Sequence, residues 1–166
     1  MKGAYLGPAF AQPEIERRLR AEGARFTTVD DRCLLELCTG ALAEGKVLGW
    51  FQGRMEFGPR ALSNRSILAD ARAASMQSVP NRKVKFRESF RPFASSVLRE
   101  DVNHWFDLDT DGPYILLTAA VTAPSGIPAV THVDSSARFK PCTRKPSRTS
   151  MPCSRPSRSA PAARSC

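Results

Sequence analysis

The sequence predicts an α/β fold, and three observations carry that expectation. Between Asp30 and Gly45, the residues Leu34, Leu35, Leu37, Cys38, Ala41 and Leu42 recur as a helical apolar stripe. Val47, Leu48, Gly49, Trp50 and Phe51 then form a nearly continuous apolar run, as in a strand buried on both faces. Helical and extended patterns alternate along the chain, the arrangement of helices packed on a sheet.

Pro13 sits in the first turn of a helix running through Glu14, Ile15, Glu16, Arg17, Arg18, Leu19 and Arg20, with Gly23 at its end. Residues 25–29 read as a short strand, and Asp30 and Asp31 cap the second helix. Residues 52–59, rich in glycine and charge, form a loop. Arg60, Ala61 and Leu62 begin a short helical turn after Pro59, and residues 66–69 suit a strand. Residues 76–83 are helical in composition but interrupted by Pro80. Residues 91–98 read as a strand with Pro92 at its start, where a missing N–H is tolerated. Residues 101–106 suggest a helical turn and 114–121 an apolar strand, with His132, Val133 and Asp134 in a further extended segment.

A chain of 166 residues suits one domain with a core. Its 42% hydrophobic and 25% charged residues are ordinary for a globular protein, so composition excludes neither an enzyme nor a binding module. Of the net charge of +9, seven charges lie in residues 139–166: Lys140, Arg144, Lys145, Arg148, Arg155, Arg158 and Arg164, with no acid among them. Residues 140–166 also contain no Leu, Ile, Val or aromatic residue. Burial there cannot offset roughly 1–2 kcal/mol of ordering entropy per residue, so a disordered tail is expected over residues 139–166. With no run of about 18 apolar residues and no apolar leader after Met1, neither a membrane span nor a secretion signal is expected, and a cytoplasmic location follows. Cys33, Cys38, Cys142, Cys153 and Cys166 fit no zinc spacing, and their odd number suits no closed disulfide set. Cys33 and Cys38 read as buried small hydrophobes.

The densest chemistry is in residues 53–70, where Arg54, Arg60 and Arg65 are interleaved with Gly, Pro, Asn and Ser directly after an apolar strand. Guanidinium groups pair bidentately with phosphate oxygens, and glycines let backbone N–H groups approach an anion. A second cluster, Lys83, Lys85, Arg87 and Arg91, has the alternation that would line one wall of an extended segment. Two basic walls could hold a polyphosphate. The same charges also fit a solvated surface, with Glu56, Asp70 and Glu88 pairing with neighbouring arginines.

The segments GWFQGRMEFGPRALSNRSILADAR and KVKFRESFRPFASSVLRED, with YILLTAAV and IPAVTHVD beyond them, resemble the O-carbamoyltransferase family that acts on antibiotics and nodulation factors. The resemblance runs from about Ala4 through Arg138. It implies a two-domain enzyme. An N-terminal Kae1-like domain transfers a carbamoyl group to a hydroxyl using a metal, and a YrdC-like C-terminal domain makes carbamoyladenylate from carbamoyl phosphate and ATP. The implied fold is a twisted mixed sheet with flanking helices. Residues 1–12 would be the connection from the Kae1-like domain, residues 13–138 part of the YrdC-like domain, and residues 139–166 the tail. The implied partners are small-molecule anions and the Kae1-like domain; ATP and carbamoyl phosphate are substrates, with Mg2+ as an accompanying ion. No metal site is expected in this chain. The family's basic pocket falls on Arg60 in GPRAL, Lys85 in KFRES and Arg91 in FRPFA, with Arg54, Arg65, Arg87 and Ser96 as neighbours. Lys85 and Arg60 would act on the developing charge, with Arg60 and Arg91 clamping oxygens.

Ser63 stands where the family pattern has glycine, and Ala71 and Ser95 where it has proline. If position 63 needs a positive φ, serine costs about 1 kcal/mol there. The change of character at Phe139 reads as a frameshift, which sequencing the gene around that codon would test. Without an acceptor site, the chain is expected to be weakly active or inactive alone. Two other readings stand beside this one: a nucleic-acid-binding protein with a basic arm, which the body disfavours, and a non-catalytic subunit of a split carbamoyltransferase. Glu56 reads as orienting Arg54 or Arg60, His104 as packing beside Trp105 and Phe106, and His132 with Asp134 as orienting a loop.

Overall fold

The computed structural model describes residues 3–142 except 109, 111 and 113. It is a mixed α/β structure, as the alternating patterns predict. The strands, however, form two small sheets rather than one.

Helix α1, Gln12–Ala21, starts with Pro13 in its first turn, and Gly23 follows its end at φ +66°. Ion pairs Glu14–Arg18 and Glu16–Arg20, at 2.7 and 2.9 Å, run along its surface, and none of its residues is buried. Each pair contributes only about 0.2–0.5 kcal/mol. Helix α2, Asp31–Ala43, is capped by the Asp30 carboxylate, which accepts from the Cys33 N–H at 2.7 Å. Its stripe is only partly covered: no residue of α2 is buried, and Leu37 is 55% exposed. Cys33 and Cys38 are accordingly half-buried rather than enclosed, and burial pushes the Cys38 thiol up. Residues 25–29 form no strand; Phe26 instead lies under the Arg20 guanidinium, 5.6 Å from the ring centre.

Strand β1, Leu48–Phe51, pairs antiparallel with β2, Arg65–Leu68, in the register Trp50↔Ser66 and Phe51↔Arg65. Exposure alternates along β1, so only one of its faces is covered. Trp50 is buried, whereas Phe51 is 53% exposed. The apolar run predicted a strand correctly and its second buried face incorrectly. Residues 60–62 are irregular instead of helical, because the Leu62 and Asn64 N–H groups donate to the Glu56 side chain rather than to carbonyls one helical turn back. Helix α3, Ser75–Lys83, passes through Pro80.

The second sheet has the order β3-β5-β4. β3 is Ala94–Leu98 and β5 is Ser136–Cys142; they run parallel, with Ser95↔Phe139 and Ser96↔Lys140 in register. β4, Thr118–Ala120, is antiparallel to β5. It is shorter than the apolar run 114–121 suggests: Ile115 takes φ +57°, and Val121 makes an isolated bridge to Phe106. Between the strands, residues 99–101 form a 3-10 turn that leads into α4, Val102–Trp105. The core is Val102, Phe106, Ala119, Val121, Ala137 and Phe139, with the Phe106 and Phe139 rings stacked 4.7 Å apart. His132 and Asp134 lie in a turn rather than a strand. There Asp134 accepts from the backbone N–H and hydroxyl of Ser136, and these bonds hold its carboxyl below the usual range.

The composition break at Phe139 is not where the fold ends. Phe139 is fully buried, Lys140 is 8% exposed, and β5 continues through Cys142. Alternation along the strand turns Phe139 into the core and Lys140 to the opposite face, where the lysine meets polar groups that a local reading cannot see. The rest of the basic tail lies outside the described residues. Among the described residues no helix is long and apolar enough to cross a membrane.

Candidate anion-binding site

The candidate site residues fall on two loops and one strand. The first loop, residues 52–64, joins β1 to β2 and carries Arg54 and Arg60; Arg65 opens β2. Glu56 organises it from within. Its carboxylate is 3% exposed, and one oxygen accepts from both the Leu62 N–H, at 2.5 Å, and the Asn64 N–H, at 2.8 Å. Burial works to raise this carboxyl. The N–H groups of Glu56 itself, Asn64 and Leu62, together with the Arg65 charge, outweigh burial and hold it below the usual range. Arg65 Nε lies 4.0 Å from the other carboxylate oxygen, and its Nη2 donates to the Gly58 carbonyl at 3.3 Å. Glu56 therefore shapes the backbone and faces Arg65, not Arg54 or Arg60.

Asn64 closes the loop base. Its side-chain N–H donates to the Arg54 carbonyl at 2.8 Å, and Gln52 donates to its side-chain oxygen at 3.2 Å. The chain's N-terminal segment lies alongside: Gly7 and Met55 exchange backbone bonds with the loop and Pro8, and Phe57 N–H donates to Ala4 at 2.7 Å. A Cβ on Gly7 would stand 2.9 Å from that of Met55, so the approach requires glycine. Lys140 reaches across from β5. Its Nζ donates to the Leu62 carbonyl and to Ser63 Oγ, the latter at 2.6 Å, while Tyr5 donates its hydroxyl to the same Leu62 carbonyl at 2.7 Å. Ser63 takes φ +85°, the left-handed conformation in which serine is strained.

The second loop, residues 84–93, joins α3 to β3 and is organised by Asn81. This side chain is fully buried. Its N–H group donates to the carbonyls of Gln77, Ser89 and Arg91, at 2.8, 3.1 and 2.8 Å, and its oxygen accepts from Arg87 Nε at 2.6 Å. Arg87 also lies over the Phe93 ring at 4.9 Å. Burial and the nearby Arg91 charge push the Arg87 guanidinium down. Lys83, Lys85, Arg87 and Arg91 consequently do not line a single extended wall. Lys83 ends α3, Phe86 turns the chain at φ +49°, and Arg87 folds inward. Lys85 is exposed, and Arg91 faces Glu88 at 3.9 Å.

Ser96 is exposed on β3 beside Lys140 in register, on the sheet face opposite Phe139. The structure thus brings Ser96, Lys140, Ser63 and the Arg60–Arg65 turn into one neighbourhood. It does not join Arg60, Lys85 and Arg91 by any direct bond among the described residues. The side chains of Arg54, Arg60 and Lys85 are exposed and, among the described residues, make no hydrogen bond or ion pair, so they are cations available to an incoming anion. Sequence reasoning missed Asn81, Lys140 and Tyr5. An asparagine in the last turn of a helix is a weak hint of a local cap, and nothing local marks the other two. No group of three or more His, Cys, Asp or Glu side chains converges among the described residues.

Comparison with known proteins bears on what such loops serve. The family model for the carbamoyltransferase C-terminus matches residues 39–151, which takes in both loops and β5. An uncharacterized protein of Synechocystis is 46% identical over 84% of this chain and 27% of its own length. The nodulation protein NolO of Bradyrhizobium diazoefficiens is 49% identical over 63% of this chain and 20% of its own. The 3'-hydroxymethylcephem-O-carbamoyltransferase of Streptomyces clavuligerus is 46% identical over 75% of this chain and 23% of its own. The chain spans about a quarter of the length of these relatives. With its two arginine-bearing loops inside the matched region, the chain belongs to the carbamoyltransferase C-terminus family.

Proposed function

We propose that the chain is the carbamate-activating part of an O-carbamoyltransferase, a part that binds carbamoyl phosphate and ATP to form carbamoyladenylate and that turns over weakly or not at all on its own. In that reaction carbamoyl phosphate is hydrolysed to carbamate and phosphate. A carbamate oxygen then bonds to the α-phosphorus of ATP as the bond to the bridging oxygen breaks and pyrophosphate leaves. Both substrates are anions that repel each other, so the protein's task is to hold them in line and to stabilise charge. Arg60 and Arg91 serve as clamps on phosphate or carbamoyl oxygens, and Lys85 serves as the mobile point charge. Arg54, Arg65, Arg87 and Ser96 complete the surroundings. Mg2+ would arrive on the ATP phosphates. Transfer to a hydroxyl acceptor is assigned to a Kae1-like domain, the partner that the reading requires, in a cytoplasmic setting.

The observation that carries this reading is that Arg54, Arg60 and Lys85 are unengaged cations on loops whose backbones are pinned from inside by Glu56 and Asn81. A solvated surface needs no such internal scaffolding. Calorimetric titration of the chain with carbamoyl phosphate and with ATP, beside carbamoyl-phosphate-dependent exchange of pyrophosphate into ATP, tests it. Binding of both ligands is expected, with Arg60→Ala and Lys85→Ala each weakening it about tenfold or more, the worth of a charge-assisted bond. Absence of binding, or variants that bind as tightly as the parent, would overturn the assignment.

A further inference from the structure

We infer that Lys140 is a positioning residue for the anion-binding turn: its buried ammonium, on the sheet face behind the first loop, fixes Leu62 and Ser63 and thereby sets the direction of Arg60 and Arg65. The inference rests on the reading above for its consequence in ligand binding, while the geometry stands without it.

Leu62 is held from both sides of its peptide. Its N–H is taken by Glu56, and its carbonyl accepts from Lys140 Nζ and from the Tyr5 hydroxyl. Lys140 spends a further donor on Ser63 Oγ at 2.6 Å, and its Nζ lies 3.5 Å from the Tyr5 hydroxyl. An ammonium has three donors in a compact head, which suits a site where acceptors converge from separate segments. Ser63 needs this help because φ +85° is unfavourable for a residue with a Cβ. Without the lysine, the turn would relax toward ordinary backbone angles. Arg60, three residues before the strained position, and Arg65, two after it, would then lose their shared orientation. Burying an ammonium is costly unless it is hydrogen-bonded in this way, so its place behind the loop suits a fixed scaffold better than a mobile ligand-binding group.

The test uses the full chain and two independent readouts. Lys140→Met keeps the stem and removes the charge. In the absence of ligand, amide exchange at Leu62 and Asn64 should quicken about tenfold or more, while the core amides of Ala137 and Phe139 stay protected. Carbamoyl phosphate affinity should fall about tenfold. Adding Ser63→Gly to Lys140→Met should restore most of that affinity, because glycine adopts positive φ without a holder. A lysine that merely stabilises the fold would not be rescued at this position. If Lys140→Met loses core protection, Tyr5→Phe, which removes one of the two donors at the Leu62 carbonyl, should loosen the same two amides to a smaller degree. Unchanged exchange at Leu62 and Asn64 in these variants, or no rescue by Ser63→Gly, overturns the inference. A parent chain that fails to bind carbamoyl phosphate sinks the proposed function alone, and the exchange result still decides whether Lys140 holds the turn.

Discussion

The two basic loops face the same physical problem and solve it differently. Each must present several cations on irregular backbone without collapsing onto its own acids. The β1–β2 loop is held by buried charges: the Glu56 carboxylate within it and the Lys140 ammonium, whose partner Leu62 is 78 positions away in sequence. The α3–β3 loop is held by neutral amides: Asn81, whose partners lie no more than 10 positions away, and Gln77, which donates to the Phe90 carbonyl at 3.0 Å. Of these charges Lys140 ties in a distant segment, and both depend on ionisation. A scaffold built on an amide is local and indifferent to pH. The first loop should therefore be the one that conditions can loosen, and the second the one that a single neutral substitution destroys.

Asn81→Leu is the strongest way to break that contrast. It fills similar volume while leaving the carbonyls of Ser89 and Arg91 and the Arg87 Nε–H without their side-chain partner. We expect a loss of about 3 kcal/mol in urea unfolding, since each stranded buried group costs about 1–3 kcal/mol and some will find water. Arg87 and Arg91 should become mobile together, and the Glu56-bonded amides should keep their protection. A change below about 1 kcal/mol would show that Asn81 is not the organiser.

Glu56→Gln should cost about 1–2 kcal/mol, because the amide oxygen can still accept while the charge assistance is gone. Its pH signature separates the loops. The folded Glu56 carboxyl titrates below its unfolded value. Its stabilisation is therefore complete above the unfolded value, about 4.3, and drains away as pH falls through the folded one. Protection factors at Leu62 and Asn64 should drop in that acid window in the parent, while the amides of Lys85 and Arg87, bonded to Pro80 and Asn81, hold. Glu56→Gln should flatten the dependence. Equal acid sensitivity in both loops would erase the distinction.

How far the sequence foretells each region follows the same division between local and distant. The starts and stops of α1 and α2 were legible in Pro13, Asp30, Gly23 and Gly45, because caps act over one helical turn. The exposed cations Arg54, Arg60 and Lys85 were legible as residues because charge on irregular segments reads directly from the sequence. What holds them was not. Lys140 belongs by composition to a basic tail and by structure to β5, and only pairing with β3 reveals which face it takes. The wall expected from Lys83, Lys85, Arg87 and Arg91 failed because alternation presumes extended backbone, which Phe86 abandons at φ +49°. The doubly buried β1 failed because apolarity reports that a strand is tolerated in a core, not that a second layer is present.

The smallest effect is the most informative about the first loop. Ser63→Gly in the parent background should change stability by less than about 1 kcal/mol. Relief of the strained φ +85° favours the variant by about 1–2 kcal/mol, while the lost hydroxyl contact with Lys140 and the freer unfolded chain oppose it. Near-cancellation in urea unfolding, beside the rescue expected when Lys140 is replaced, would mean that serine and lysine together do what a glycine does alone. A gain well above about 1 kcal/mol would mean instead that the hydroxyl contributes nothing, and that the turn is held by Glu56 and the Leu62 carbonyl bonds without it.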